Sequence, residues 1–286
     1  MLVSTRSAAY LPYLINPEAR MRRFASFFVV VGFLLSPVLA RSQTPAPTPD
    51  LAAHRAIYQL TLASARGDIV AAGGSMAYEM IDACDGWTVR QRLRITITDR
   101  ENRNIEMGTD YATLESKDGL TMRFNMRQTA ETAVTSETEG TASLLSTGAA
   151  GEAKYKVPGE ATKPLPPGTM FPTMHTVAIL EAARAGKKFL AIPLFDGTVA
   201  TGSQDTSVAI FSWDPPKEHR FPVLAVLPST RVRIAFFDKA SATATPDYEL
   251  GMRYWENGIA DDMTMDFGDF VLRATMIELS VLPKNC

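Results

Sequence analysis

Residues 87–98, WTVRQRLRITIT, alternate without a break. Trp87, Val89, Leu93, Ile95 and Ile97 fall on one side, and Arg90, Arg92, Arg94, Thr96 and Thr98 fall on the other. A period of two belongs to a β-strand, and alternation of this kind marks a sheet with one buried face. A register slip of one residue would turn every apolar side chain outward, so the same pattern pins the pairing. Residues 120–127 (LTMRFNMR) repeat it after Asp118-Gly119, with Leu120, Met122, Phe124 and Met126 on the apolar side. Residues 231–237, 248–256 and 270–282 continue the series. Strands covered on both faces, as in parallel sheets, would read as continuous apolar runs. The expected fold is mainly β and antiparallel.

Asp196-Gly197 and Asn257-Gly258 are expected as hairpin turns, where glycine supplies the positive φ that two-residue turns demand. One helix interrupts the strands. Residues 174–185 (MHTVAILEAARA) place Val177, Leu180, Ala183 and Arg184 at helical spacing, with Thr173 as N-cap and Gly186 at the C-terminal end. As the one clear helix, it is expected to pack on the sheet or plug its interior.

The chain carries its own address. Arg20-Met21-Arg22-Arg23, the apolar run 24–35 and the small residues Ser36 to Ala40 have the order of an export signal. The run is shorter than the ~20 apolar residues a membrane span needs. Met21 reads as the natural start, making residues 1–20 a mis-called extension. The expected organisation is a signal segment over 1–42, a disordered Pro/Thr linker over 43–53, and one β domain over 54–286. The expected location is the periplasm, with no stable membrane insertion after cleavage. Only two cysteines occur, Cys84 and Cys286, and in an oxidising compartment such a pair reads as a disulfide. Closing a loop of about 200 residues contributes roughly 5 kcal/mol in the chain-entropy account.

Of the 29 Lys and Arg and 31 Asp and Glu, five and one precede residue 43, which leaves 24 against 30 and a net charge of −6. A mildly acidic chain lacks the electrostatic footprint of nucleic-acid binding. His54, His175 and His219 lie far apart, in neither HExxH nor HxH spacing, so no metal site is expected. GxSxG, P-loop and dinucleotide glycine patterns are absent; Gly67, Gly73, Gly74 and Gly86 are read as lying near turns. No catalysis and no cofactor is expected, although a hydrolytic triad is recognised by geometry and not by spacing.

His175 reads as a buried histidine hydrogen-bonded to its loop, with ligand contact or pH sensing as the alternative. Arg90, Arg92 and Arg94, joined by Arg123 and Arg127 from a following strand, form a basic stripe. It reads as a solvated outer face with acidic neighbours, or else as a contact for an anionic partner. Thirteen methionines, Met122, Met126, Met252, Met263, Met265 and Met276 among those in strand patterns, add adaptable apolar surface.

Several segments together resemble one family. They are His54-Arg55-Ala56-Ile57-Tyr58, Ala83-Cys84-Asp85-Gly86-Trp87, Phe171-Pro172-Thr173-Met174-His175 and Leu194-Phe195-Asp196-Gly197. To these add Tyr254-Trp255-Glu256-Asn257-Gly258-Ile259, residues 263–270 and the final cysteine. The chain resembles the EipB-like periplasmic cell-envelope integrity proteins of alphaproteobacteria, a domain of unknown function. The resemblance implies a single antiparallel sheet curled into an open β-spiral or half-barrel, similar to the LolA and LolB carriers, with one main helix near the concave side. It also implies a disulfide between Cys84 and Cys286. Asp196, Gly197, Asp266, Phe267 and Gly268 match its signature positions, with Phe267 standing where the family has tyrosine. The function this implies is non-catalytic support of the envelope, by holding a partner or an amphipathic ligand on the curved sheet. A lipid or lipoprotein carrier and an envelope hydrolase are the alternatives.

Overall fold

The computed structural model describes residues 50–239 and 245–284. The signal segment, residues 43–49 of the predicted linker and Cys286 lie outside the described residues. Packing begins earlier than predicted: Leu51 is 6% exposed, and the Ala52 N–H donates to the Asn257 carbonyl at 2.9 Å. An apolar side chain that can reach the core is better buried than left on a tether.

The first eight strands run β1 (His54–Ala65), β2 (Ile69–Asp82), β3 (Gly86–Asp99), β4 (Asn104–Ser116), β5 (Thr121–Ala130), β6 (Ala133–Leu144), β7 (Gly151–Val157) and β8 (Ala161–Leu165). Helix α1 (Pro172–Arg184) follows, then β9 (Phe189–Leu194), β10 (Gln204–Ile210) and a short α2 (Pro222–Ala225). The chain ends through β11 (Ser229–Phe237), β12 (Tyr248–Trp255), β13 (Ala260–Asp266) and β14 (Phe270–Val281). The fourteen strands of the described residues form one antiparallel sheet in the order 8-7-6-5-4-3-2-1-14-13-12-11-10-9. Two meanders are thus joined by the pairing of the first strand with the last, and the middle of the sequence supplies both edges.

Those edges curl toward each other. Met170, just past β8, donates its N–H to Pro193 at 2.9 Å and accepts from the Phe195 N–H at 3.0 Å. This parallel bridge to Leu194 is isolated, and among the described residues β8 and β9 form no ladder, so the sheet stays open. The loop over 195–203 completes the contact between the two ends. Phe195 packs edge-on against Phe124, Tyr155 and Phe171, with centroids 5.3 to 6.3 Å apart. The Tyr155 hydroxyl donates to the Val199 carbonyl at 2.8 Å.

The single antiparallel sheet and main helix match the expected fold class. Several local expectations change. Helix α1 starts at Pro172 with Phe171 as N-cap, and Thr173 lies inside its first turn. Phe171 offers no side-chain acceptor; instead Glu115 from β4 accepts the Thr173 N–H through Oε2 at 2.9 Å. A cap supplied from another strand leaves no local signature. At the other end Gly186 (φ +73°) donates to Ala183, and Lys187 donates to Ala182, the glycine-terminated ending that was expected.

Asp196-Gly197 is no two-residue turn; it lies in the long loop between β9 and β10. Asn257-Gly258 belongs to the loop 256–259, where Gly258 is left-handed (φ +81°) and Asn257 is not, so the primed two-residue geometry is absent. Gly73 and Gly74 lie inside β2, opposite Thr61 and Leu60. A Cβ at Gly74 would stand 1.9 Å from the Arg94 carbonyl oxygen, so a close backbone approach, not a turn, requires glycine there.

Candidate functional site

The inner face of the curled sheet encloses a cavity of about 320 Å³. Each strand contributes alternate residues, because successive side chains point to opposite faces. Strand β2 sends in Met76, Tyr78 and Met80; β12 and β13 send in Met252, Tyr254, Met263 and Met265. Helix α1 closes one side with Thr173, His175 and Thr176, and its remaining buried residues split between two apolar clusters. Ile179 and Ala183 join the core around Trp255 and Leu272, while Val177 and Leu180 pack with Leu51, Met80 and Val89.

Strand β4 presents a polar wall. Thr109, Tyr111, Thr113 and Glu115 all line the cavity. Glu115 is 1% exposed; its Oε2 accepts the Thr173 N–H, while Oε1 is buried without a partner, as is the Thr113 hydroxyl. Burial raises the Glu115 carboxyl to about 7 against the pull of the Thr173 N–H. Asp196 also lines the cavity, its carboxyl pushed up by burial although Oδ1 accepts the Thr198 N–H at 2.9 Å and hydroxyl at 2.7 Å. Its backbone carbonyl accepts the Tyr111 hydroxyl at 2.7 Å.

His175 is 4% exposed, with Nε2 3.0 Å from the Thr206 hydroxyl. That hydroxyl gives its own proton to the Ile192 carbonyl at 2.7 Å, so the imidazole must be the donor and Nε2 carries the proton. Burial lowers its pKa to about 4, and the ring is neutral near pH 7. The buried, hydrogen-bonded reading fits; the partner is a strand residue, and the ring also faces the cavity.

The arginine stripe points the other way. Arg90, Arg92 and Arg94 are 70%, 69% and 47% exposed, on the face opposite the cavity-lining Val89 and Gln91. Arg92 and Arg94 share Asp110 at 2.7 Å each, and Arg55 with Arg90 flanks Glu79. Arg127 lies between Asp110 and Glu137 in register, and Arg123 is exposed on the same outer face. Positive and negative charges therefore alternate across the strands, an arrangement that satisfies itself. Contact between the stripe and a ligand in the interior is ruled out by this placement.

His219, the pivot of the hydrolase alternative, does approach a carboxylate: Nε2 lies 3.3 Å from Asp261 Oδ2. Its other nitrogen, Nδ1, accepts the Phe221 N–H at 3.3 Å. A triad needs one ring nitrogen on the carboxylate and the other on the nucleophile, and here both are spent.

The signature residues shape loops. Gly197 (φ +74°) lies against Phe124, and its carbonyl accepts the Thr138 hydroxyl at 2.5 Å. Asp266 Oδ1 accepts the Gly268 N–H at 2.9 Å, closing the β13–β14 turn, and Phe267 stacks on Phe270 at 4.9 Å. Cys84 (φ +70°) sits in the β2–β3 turn, its N–H held by Asp82 Oδ1 at 3.0 Å. Its expected partner Cys286 lies outside the described residues.

The EipB-like family profile matches residues 45–283. The chain belongs to the EipB-like family. It is 32% identical over 275 residues to the cell envelope integrity protein EipB of Brucella abortus (strain 2308), covering 90% of this chain and 91% of that protein. A crystal structure of a β-barrel-like protein of a domain of unknown function from Brucella abortus superposes with a TM-score of 0.74. The two are 30% identical, over 82% of this chain and 99% of the other. The family resemblance drawn from the sequence is thereby established, and the homology supports a role in cell envelope integrity. Tyr111, Thr113 and Glu115 were missed in the sequence because the second half of β4 turns polar residues inward and Ala112 and Leu114 outward, the reverse of the pattern that marks a half-buried strand.

Proposed function

We propose that this protein supports the cell envelope from the periplasm as a non-catalytic binding protein, holding an amphipathic ligand in the cavity of its curled sheet. The carrying observation is the cavity itself. At about 320 Å³ it falls within the range of small-molecule sites, with a methionine-rich wall facing a few converging polar groups. Methionine is unbranched and polarizable, so Met76, Met80, Met252, Met263 and Met265 adapt to varied apolar shapes. The same wall favours the carrier reading, in which a lipid or lipoprotein acyl group is held in transit. Native mass spectrometry of protein isolated gently from periplasm tests both: a bound amphiphile is the expected result, and consistently empty protein overturns the reading. A deletion strain should become more sensitive to detergents and envelope-targeting antibiotics; unchanged sensitivity argues against the envelope role.

The Cys84–Cys286 disulfide belongs to the same proposal. The last described residues run toward the β2–β3 turn: the Leu282 N–H donates to Ala53 at 2.8 Å, and Lys284 pairs with Asp50 at 2.5 Å. Asp82, two residues before Cys84, is held low chiefly by its hydrogen bond from Lys117, and the Lys284 charge adds to this. Lys284, the last described residue, thus lies on the side of the sheet end that carries Cys84, which supports the pairing.

A further inference from the structure

We infer that the cavity takes an amphiphile with a cationic head group, an alkylammonium whose charge is held by Glu115 beside Thr113 and the tyrosine rings. The inference rests on the ligand-binding reading above and specifies the chemistry of its occupant.

Charge is the first argument. Among the described residues no Lys or Arg lines the cavity, whereas two acidic side chains, Glu115 and Asp196, do, both shifted by burial toward the protonated form and so lacking a counter-charge of their own. The histidines on its wall, His54 and His175, are both shifted by burial toward the neutral form. A fatty-acid carboxylate or a phosphate head would enter a space with no counter-charge and two carboxyl groups already present, and an uncompensated buried anion is costly. The positive end of α1 does not serve such an anion, because Glu115 already occupies the Thr173 N–H.

Hydrogen-bond capacity is the second. Two of the tyrosine donors on the wall are spent: the Tyr58 hydroxyl donates to the Ala260 carbonyl at 2.7 Å and the Tyr111 hydroxyl to the Asp196 carbonyl at 2.7 Å. Acceptors are not. Glu115 Oε1 and the Thr113 hydroxyl, two residues apart on the inner face of β4, are buried without partners. Unmatched buried acceptors call for a donor, and an ammonium has three. Tyr58, Tyr78, Tyr111, Tyr248, Tyr254 and Phe236 line the same cavity, and aromatic rings attract a cation over their faces. An acidic side chain, aromatic rings and methionines lining one cavity suit the charged head and the apolar chain of an alkylammonium.

The test is calorimetric titration of the delipidated full protein at neutral pH with dodecylammonium, dodecanol and dodecanoate, each below its aggregation concentration. Dodecylammonium is expected to bind at least ten-fold tighter than dodecanoate. Glu115→Gln keeps an acceptor for Thr173 and is expected to lower dodecylammonium affinity about ten-fold while leaving dodecanol unchanged. Thr113→Val, which removes only the hydroxyl, should lower the ammonium preference several-fold and serves if the first variant does not fold. Equal or tighter binding of dodecanoate, binding of dodecanol alone, or a preference untouched by the variants would overturn the inference while leaving the cavity reading standing. If none of the three binds, the cavity reading falls as well.

Discussion

Glu115 holds the first turn of α1 with one carboxylate oxygen and leaves the other buried without a partner. Its pKa of about 7 lies above the usual 4.5, so the folded state binds a proton that the unfolded chain releases. Stability from this group is present below pH 4.5 and is lost as pH rises to 7. His175 acts in the opposite sense. Its folded value of about 4 lies below 6.5, so its contribution is present above pH 6.5 and is lost as pH falls toward 4. Glu115→Gln removes the first dependence and keeps the acceptor. Denaturant unfolding across pH is expected to show the variant gaining on wild type from pH 4.5 to 7, by up to about 3 kcal/mol. A gap that does not change with pH would contradict this. His175→Gln should flatten the acid side between pH 6.5 and 4, checked by the same titration.

Among the elements, the loop over 195–203 and helix α1 decide whether the sheet becomes a container. The loop carries Phe195 and Gly197 from the β9 end onto β5 and β7 at the other end, where Phe124 and Tyr155 receive them. Gly197→Ala would put a Cβ 2.5 Å from Phe124 Cγ at a left-handed φ of +74°. Overpacking and backbone strain together should cost about 1–3 kcal/mol, read as a lower chemical-denaturation midpoint. Gly186→Ala, also left-handed but with open space around it, should cost less, about 1 kcal/mol. Equal losses at the two sites would show that the Phe124 contact is unimportant.

For the whole molecule, the pairing of β1 with β14 makes the two chain halves one sheet, and the proposed disulfide would tie Cys286 to the β2–β3 turn. Cys84→Ser and Cys286→Ser are expected to lower the melting temperature under oxidising conditions, and reductant should lower wild type to the level of the variants. The chain-entropy ceiling for a loop this long is about 5 kcal/mol, so a shift of several degrees is the expected scale. Identical melting of all forms would show that the bridge does not stabilise the fold.

Much of this was legible in the residues themselves. The alternation at 87–98 and 120–127 determined strands and put Arg90, Arg92 and Arg94 together on one face, because a period of two leaves no other assignment; that this face is the outer one was decided by the curl of the sheet. Gly186 ended the helix where a left-handed residue was needed. The helix start and the polar wall were decided only in three dimensions. Thr173 looks like a cap in sequence, but its N–H meets Glu115 across 58 residues of chain, and local pattern carries no information about so distant an acceptor. Strand β4 likewise hides its inner face, since Tyr111, Thr113 and Glu115 point toward a cavity and not a packed core. Curling two sheet ends onto one loop created that cavity, and no single segment contains it.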